Sequence, residues 1–416
     1  MHVLARNILS LFVLQASAYL IPLITTPYLA RTLQIEHFGL LGIASAVTGY
    51  ISLVSNWGFG YTATREVARH SADPVAVRAI FWNTLLAKAT LCASALVVFV
   101  AIICCVPEWR RMLPLFLAFS LVPIAGVFNA GWLLQGLEQI VSFSQISLLS
   151  RILAIPLIFA LVHHPDDVIA VAAIASGTEL LSAAISLVVA NRAVQLLPGH
   201  FDLRAACKQI RTGAPVFLAT GGIYLYTQSN IVLIGVISGP VQAGLYSGAE
   251  KLQRALTSLI GPVSTAVYPR INNLLVSAPA KSHRLMLITL AAQGLATLSV
   301  SIAMYLTAHT ATLLLLGTQY EEAVPVIQVL SALPFLIGLN NALGVNMMFP
   351  FGLNAEVTRI TVAGGVLNVG LLSILTYAQG AIGAAIAVAV TETFVTAGFA
   401  WVIYSRRKIV FQIHES

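Results

Sequence analysis

The chain has 416 residues, of which 58% are hydrophobic and only 9% are charged. A water-soluble domain carries roughly 25% charged residues, so this composition excludes an ordinary soluble protein. The net charge of +7 comes from basic residues scattered in short loops, not from a basic stripe with interleaved aromatics, which argues against nucleic acid as a partner. The four cysteines show neither metal-ligand spacing nor a disulfide framework, and we expect no cofactor or metal site.

Twelve apolar runs, bounded by charged residues or by Pro and Gly, follow one another along the chain. Each is close to the length that crosses a bilayer, about 20 residues. The first run is too long for the apolar core of a cleaved signal peptide, so we predict that it is a span. The sequence therefore predicts an all-α integral membrane protein of about 12 transmembrane helices. The predicted spans are 8–30, 38–59, 79–105, 113–135, 146–163, 167–189, 213–236, 242–267, 285–316, 324–348, 359–378 and 380–404.

The basic residues are distributed very unevenly between the two sides that these spans define. Of the 22 Lys and Arg residues, 16 fall on one side, three on the other and three inside spans. The three on the poor side are Arg31, Arg110 and Arg111. Cytoplasmic loops are the ones rich in Lys and Arg, so both termini are predicted to be cytoplasmic. Arg31 and Arg65 lie at predicted membrane edges, where orientation of the chain is the simplest role for them.

The longest predicted loop, roughly 190–212, divides the chain into two similar halves. A weak internal repeat agrees, because Gly39-Leu40-Leu41 opens the second span and Gly244-Leu245-Tyr246 opens the eighth. Transporters are often built from two such repeats. We predict an N-terminal six-helix lobe at 1–195, a cytoplasmic inter-lobe loop at 196–212 and a C-terminal six-helix lobe at 213–416.

Several short segments, taken in order along the whole chain, resemble one family of transporters. The segments are Pro22–Leu33, Glu36–Gly39, Asn56–Gly60, Ala63–Ala68, Gln135–Glu138, Ala243–Lys251, Val267–Ile271, Glu322–Ser331 and Gly380–Ala385, followed by Glu392. Together they resemble the Wzx-type O-antigen and polysaccharide flippases of the MOP superfamily. The chain departs from the family in the loop after Phe349, which is usually more basic.

The resemblance implies a MOP/MATE-like fold with two six-helix lobes around a central cavity, in a bacterial inner membrane. It implies a flippase that moves an undecaprenyl-pyrophosphate-linked oligosaccharide to the periplasmic leaflet by alternating access, with H⁺ or Na⁺ coupling as a hypothesis. The expected partners are the lipid-linked oligosaccharide and membrane lipids. A polymerase and a chain-length regulator of the same assembly pathway are candidate partners.

Charged residues inside predicted spans are the strongest site signal, because a charge at the bilayer centre costs about 2.5–3.5 kcal/mol on insertion scales. The pyrophosphate is anionic, and the cations Arg254, Lys251 and Lys88 are candidates to bind it. Arg254 lies near the middle of its predicted span. Glu250 is four residues before Arg254, so the two share a helix face and can pair. The alternative is a structural ion pair, with Lys88 extending to the cytoplasmic interface.

Three carboxylates inside predicted spans, Glu392, Glu179 and Glu250, are candidates for ion coupling. Glu179 and Glu392 each lie near the middle of the last helix of a half. A carboxylate in a membrane interior can exchange a proton or hold a sodium ion. The alternative is a carboxylate satisfied by Lys88 or by neighbouring hydroxyls.

The seventh predicted span is unusually polar and aromatic. Tyr224, Gln228, Tyr226 and Asn230 are candidates for sugar binding, because sugars offer an apolar ring face and many hydroxyls. The alternative is hydrogen bonding between helices, for which such residues are commonly used. Asn340, Asn341 and Asn346 in the tenth span are equally compatible with a structural role.

Three other functions compete with a flippase. A drug or cation antiporter of the same superfamily would favour an acidic interior, whereas the six intramembrane charges balance, three against three. An oligosaccharide polymerase or ligase needs a sizeable outer loop for its active site, and the predicted outer loops are short, so we predict that the chain is not an enzyme. A non-transport scaffold does not account for charges in mid-span.

Overall fold

The chain is built from helices throughout its described part. The computed structural model describes residues 2–105, 107–196, 201–258 and 261–406, and no strand occurs among them. Short 3-10 or π segments occupy Pro165–Asp167, Thr312–Leu316, Thr318–Ala323, Asn341–Met348 and Phe349–Phe351. The α-helices are α1 (His2–Asn56), α2 (Phe59–Arg69), α3 (Pro74–Cys105), α4 (Pro107–Arg110), α5 (Leu113–Phe128), α6 (Gly131–Gly136), α7 (Ile140–Leu161), α8 (Val168–Val194), α9 (Leu203–Thr257), α10 (Gly261–Ser277), α11 (Pro279–Ala311), α12 (Val324–Leu330), α13 (Leu333–Asn340) and α14 (Asn354–Ser405).

Single residues divide three of the long helices in two. The breaks are Gln34 (φ 61°) in α1, Gly239 (φ 83°) in α9 and Gly380 (φ 58°) in α14. Positive φ ends a right-handed helix, and glycine tolerates it best because it lacks Cβ. In the described part, nine segments are long and apolar enough to cross a membrane, and three of them contain these breaks. Each break divides one of these segments into two, which gives twelve spans. The predicted all-α membrane fold is confirmed.

The predicted boundaries were wrong at several turns. The loop expected between 30 and 38 is a one-residue reversal at Gln34. Most of the loop expected at 190–212 is helical, because α8 continues to Val194 and α9 begins at Leu203. The span expected at 242–267 is two helices, with α9 ending at Thr257 and α10 beginning at Gly261. Most of the charged and small residues at these points resemble loop residues but lie within helices.

The chain divides into two compact units, residues 1–224 and 225–416, so the boundary lies inside α9. The core of the first unit joins α2, α3, α6 and α8 through buried side chains such as Phe59, Phe81 and Leu133. The core of the second joins α10, the π segment after α13 and α14 around Ile271, Met348 and Phe399.

Large apolar side chains cover much of the outside of both units. Val97, Leu306 and Ile374 are each more than two-thirds exposed on long helices. Extensive exposed apolar surface of this kind is costly in water and indicates contact with another apolar medium. A lipid bilayer supplies that medium, which agrees with the composition.

Candidate functional site

The first unit places Lys88 deep in the protein, where its ammonium group serves the end of α5. Lys88 Nζ donates a hydrogen bond of 2.5 Å to the carbonyl oxygen of Gly126. That carbonyl lacks its helical partner, because α5 ends at Phe128 and the Ala130 N–H donates instead to Ser186 Oγ at 3.0 Å. A cation at a helix C-terminus is favoured both by the orphaned carbonyls and by the helix dipole.

This geometry changes the interpretation of Lys88. Its side chain is only 3% exposed, so it does not extend to the membrane surface as the alternative interpretation expected. Its ammonium group is held by Gly126 and interacts electrostatically with Glu179. Contact with a substrate would require this arrangement to open.

Glu179 lies in the same polar cluster. The Asn129 amide is 3.5 Å from Glu179 Oε1 and 3.4 Å from Ser182 Oγ, both long for hydrogen bonds. Lys88 and Arg151 also interact electrostatically with this carboxylate. Glu179 is therefore a half-buried carboxylate with long direct hydrogen bonds and two cations in range.

The second unit contains the predicted ion pair. Arg254 Nη2 and Glu250 Oε1 are 2.9 Å apart, which confirms the predicted pairing of residues four apart. The side chain of Arg254 is 44% exposed and that of Glu250 only 9% exposed. Lys251 is half-buried and interacts electrostatically with Glu250. Arg254 lies in the last turn of α9, not in the middle of an uninterrupted span as predicted, because α9 ends at Thr257.

Glu392 lies in the second half of α14 and is tied to α13. The Asn340 amide donates to Glu392 Oε2 at 2.7 Å, and Thr396 Oγ1 donates to Asn340 Oδ1 at 2.8 Å. Only 8% of Glu392 is exposed. The direct partner of the carboxylate is therefore an amide, and not Lys88 or a hydroxyl as the alternative interpretation expected.

Asn346 lies six residues after Asn340, in the π segment Asn341–Met348. It is buried, and neither its amide nitrogen nor its amide oxygen has a hydrogen-bond partner among the described groups. Buried polar groups are nearly always bonded, and π segments are frequent at functional sites. The sequence offered Asn346 only as one of several asparagines in an apolar run.

Asn230 anchors a buried network, as the alternative of hydrogen bonding between helices expected, although the sequence did not indicate its partners. Its amide nitrogen donates to Tyr246 Oη at 3.2 Å, and its amide oxygen accepts from Asn368 Nδ2 at 3.0 Å. Thr391 Oγ1 donates to Asn368 Oδ1 at 3.3 Å. All four residues are buried. The network joins both halves of α9 to both halves of α14 and includes the residue before Glu392.

The other candidate sugar-binding residues are not brought together within one unit. Tyr224 belongs to the first unit, where its ring packs edge-on against Tyr50 with centroids 5.6 Å apart. Gln228 is half-buried in the second unit. The side chain of Tyr226 lies outside the described residues. The aromatic pair shows that part of the polar face of the seventh span is used for helix packing.

Comparisons with known proteins identify the family. The family described as Polysaccharide biosynthesis protein matches residues 4–275. The chain belongs to this family. It is 32% identical to an Escherichia coli (strain K12) protein named "Putative O-antigen transporter", over 94% of this chain and 95% of that protein. The family is described by polysaccharide biosynthesis, and this relative is named as a transporter.

Solved structures show the same fold at low sequence identity. The lipid II flippase MurJ in an inward closed conformation has a TM-score of 0.70 at 11% identity, covering 96% of this chain and 87% of MurJ. An inward-facing multidrug resistance MATE transporter of the MOP superfamily has a TM-score of 0.64 at 14% identity, covering 94% and 98%. The chain therefore shares the multi-pass helical fold of these two transporters.

Proposed function

We propose that the chain is a flippase that moves an undecaprenyl-pyrophosphate-linked oligosaccharide from the cytoplasmic to the periplasmic leaflet of a bacterial inner membrane. The observation that carries the proposal is the full-length match to a protein named as an O-antigen transporter, within a polysaccharide biosynthesis family. The fold shared with a lipid II flippase supports a lipid-linked substrate. The uneven distribution of basic residues supports cytoplasmic termini.

Arg254 is the strongest candidate for contact with the pyrophosphate. Its guanidinium is nearly half-exposed, and the planar fork of an arginine fits phosphate oxygens. Glu250 holds it at 2.9 Å and so fixes its direction. Lys251 directly follows Glu250 on the same helix and adds a second positive charge. We assign Lys88 to holding the end of α5, because its ammonium group already binds the Gly126 carbonyl.

We propose that Glu392 and Glu179 are the carboxylates through which H⁺ or Na⁺ is coupled to alternating access. Both lie inside long apolar helices, and both contact an amide side chain that accommodates either charge state. Glu250 is a weaker candidate, because it is already paired with Arg254 at 2.9 Å. Gln228 and Tyr224 remain candidates for sugar contact.

A drug or cation antiporter is the second candidate function, and the shared MATE fold is the observation that favours it. That likeness is at 14% identity and bears on the fold alone, whereas the match to the O-antigen transporter is at 32% over nearly the whole chain. The sequence relationship therefore favours the flippase.

The decisive experiment expresses the chain in a bacterium that lacks its O-antigen flippase and examines the lipopolysaccharide on gels. The proposal expects O-antigen ladders to return and lipid-linked repeat units to disappear from the cytoplasmic face. Arg254→Ala is expected to abolish the ladder at normal membrane protein levels. Restored drug resistance in an efflux-deficient strain, with no ladder in any O-antigen background tried, would favour the antiporter.

A further inference from the structure

A polar groove of about 490 Å³ lies at one end of the first unit, apart from the buried charges described above. Its walls come from α2, from the beginning of α3 and from the beginning of α9. Groove residues on α2 are Thr62, Arg65, Glu66 and Arg69, with His70 directly after its end; those on α3 are Ala76, Ala79, Ile80 and Asn83; those on α9 are Ala205, Lys208, Gln209 and Thr212. A volume of this size is typical of a small-molecule site.

Specific hydrogen bonds fix the groove in shape. Thr84 Oγ1 on α3 donates to Gln209 Oε1 on α9 at 2.7 Å, and the Asp202 N–H donates to Asn83 Oδ1 at 3.0 Å. Trp57 Nε1 donates to the Ile210 carbonyl oxygen at 2.9 Å. The first turns of α9 are therefore attached to α3 and to the end of α1, and they do not hang freely beside the groove.

The wall formed by α2 is an amphipathic helix that is fixed to the rest of the unit by its inner face. Its apolar face, formed by Phe59, Ala63 and Val67, is buried in the core. Thr64 Oγ1 also donates to the Trp132 carbonyl oxygen at 3.0 Å. With these residues turned inward, the opposite face of α2 presents Arg65 and Arg69 to the groove.

The groove collects positive charge without a matching set of anions. Arg65, Arg69 and Lys208 face a single carboxylate, that of Glu66, which leaves an excess of two positive charges. Arg65 and Arg69 are four residues apart on one helix, where like charges repel. Among the described residues, none of these three cationic side chains makes an ion pair or a side-chain hydrogen bond. An anion held between them would relieve the repulsion.

The surroundings of the groove are those of a membrane surface. Tyr61, next to Thr62, is 72% exposed, and Leu203, two residues before Ala205, is 67% exposed. Aromatic and apolar residues beside cations are typical of a helix that lies in the interfacial region of a bilayer. The charge distribution along the sequence predicts that this end of the unit faces the cytoplasmic leaflet, where anionic lipids are concentrated.

We propose that this groove binds the phosphate of a lipid headgroup in the cytoplasmic leaflet, with Arg65, Arg69 and Lys208 as its ligands. Arginine presents a planar fork of donors that fits phosphate oxygens, and lysine adds a compact charge. Two lipids carry this chemistry: an anionic phospholipid, and a polyprenyl diphosphate such as the proposed substrate carries. The groove lies outside the ion pair and the buried carboxylates assigned to transport.

The test measures lipid binding to the purified full-length chain in nanodiscs made of phosphatidylcholine. One arm titrates phosphatidylglycerol, and the other titrates a short-chain farnesyl diphosphate. The groove variant is Arg65→Gln/Arg69→Gln/Lys208→Gln. The matched control, Arg192→Gln/Arg204→Gln/Arg211→Gln, removes three exposed cations from the same predicted side that do not line the groove. Thermal unfolding of both variants confirms that they are folded.

A contact between a cation and an anionic headgroup changes affinity by about fivefold, so the groove variant is expected to bind at least tenfold more weakly than the control. Weaker binding of phosphatidylglycerol by the groove variant would identify the ligand as a resident phospholipid. Weaker binding of farnesyl diphosphate would identify the groove as a site that captures the substrate headgroup. Equal binding by the groove variant and the control in both arms would overturn the proposal. Because no translocation is measured, failure here leaves the proposed transport function standing, and loss of transport leaves the binding result standing.

Discussion

The replacement Glu392→Gln distinguishes two possible roles of this carboxylate, coupling of ions and packing alone. The Asn340 amide donates to Glu392 Oε2 at 2.7 Å, and a glutamine oxygen in the same place accepts the same bond. A hydrogen bond to a charged group contributes about 1.5–3 kcal/mol and a neutral one about 0.5–1.5 kcal/mol, so roughly 1 kcal/mol is lost. Removing a charge that is only 8% exposed offsets part of that loss.

The matched variant Asn340→Leu keeps the carboxylate and removes its partner. Glu392 then lies buried without the amide donor, at a cost of about 2 kcal/mol. Thr396 loses less, because its hydroxyl also donates to the Glu392 carbonyl at 2.7 Å. We therefore expect Asn340→Leu to lower the unfolding temperature clearly and Glu392→Gln to change it little, as measured on the purified protein in detergent.

Transport is expected to show the opposite order if Glu392 carries the coupled ion. Glu392→Gln should reduce O-antigen display at least tenfold at normal membrane protein levels, while Asn340→Leu should lose display only in proportion to protein lost. Collapse of the ion gradient should reduce the activity of the parent to that of Glu392→Gln. Full display by Glu392→Gln in energised cells, or an instability equal to that of Asn340→Leu, would refute the coupling role.

Three further predictions concern the ion pair, a strained turn and an orphaned amide. Arg254→Ala leaves Glu250 buried without its partner and should destabilise by about 1–2 kcal/mol, given the exposure of the arginine; adding Glu250→Gln should restore the unfolding temperature but not O-antigen display. Gln34→Gly should raise the unfolding temperature, because φ 61° and ψ 173° are a region in which a residue other than glycine costs about 1–3 kcal/mol. Asn346→Leu should stabilise by about 1–3 kcal/mol in thermal unfolding, because neither amide atom has a partner among the described groups.

Each of these has a result that would contradict it. Display restored by the Arg254→Ala/Glu250→Gln double variant would assign the arginine to neutralising Glu250 and not to the substrate. An unchanged or lower unfolding temperature for Gln34→Gly would mean that the glutamine side chain compensates the strained backbone. Destabilisation by Asn346→Leu would mean that the amide holds a bound water or ion.

The number and order of the spans could be predicted from the sequence, because lipid requires long apolar runs and no tertiary contact overrides that requirement. The positions of the turns between spans could not be predicted in the same way. Arg31, Glu36 and His37 look like loop residues, yet they lie on helix arms that continue through them and reverse at Gln34 alone. Hydrophobicity reports where a helix is in lipid, not where its hydrogen bonding ends.

The candidate site was predictable only where the contact was local. The pair Glu250 and Arg254 follows from helix periodicity, since residues four apart share a face. The bond from Lys88 to Gly126 depends on where α5 ends and on which helix packs beside α5. The residues near Lys88 in the sequence indicate neither. Asn368 and Thr391 were missed because single polar residues are common in apolar helices, and the sequence does not indicate which residues they will contact.

The partners of the charged residues decide which of them are available for function. Lys88 and Arg254 were both candidates as intramembrane cations, but Lys88 is 3% exposed with its ammonium group on a backbone carbonyl. Moving it to a phosphate would leave Gly126 with an unsatisfied carbonyl at the end of α5, which costs about 1–3 kcal/mol before any contact is gained. The Arg254 side chain is 44% exposed and presents a delocalised charge that is more weakly hydrated than an ammonium group. A mobile anionic headgroup is therefore expected to engage Arg254 and the cations of the exposed groove, while Lys88 keeps the end of α5 in place.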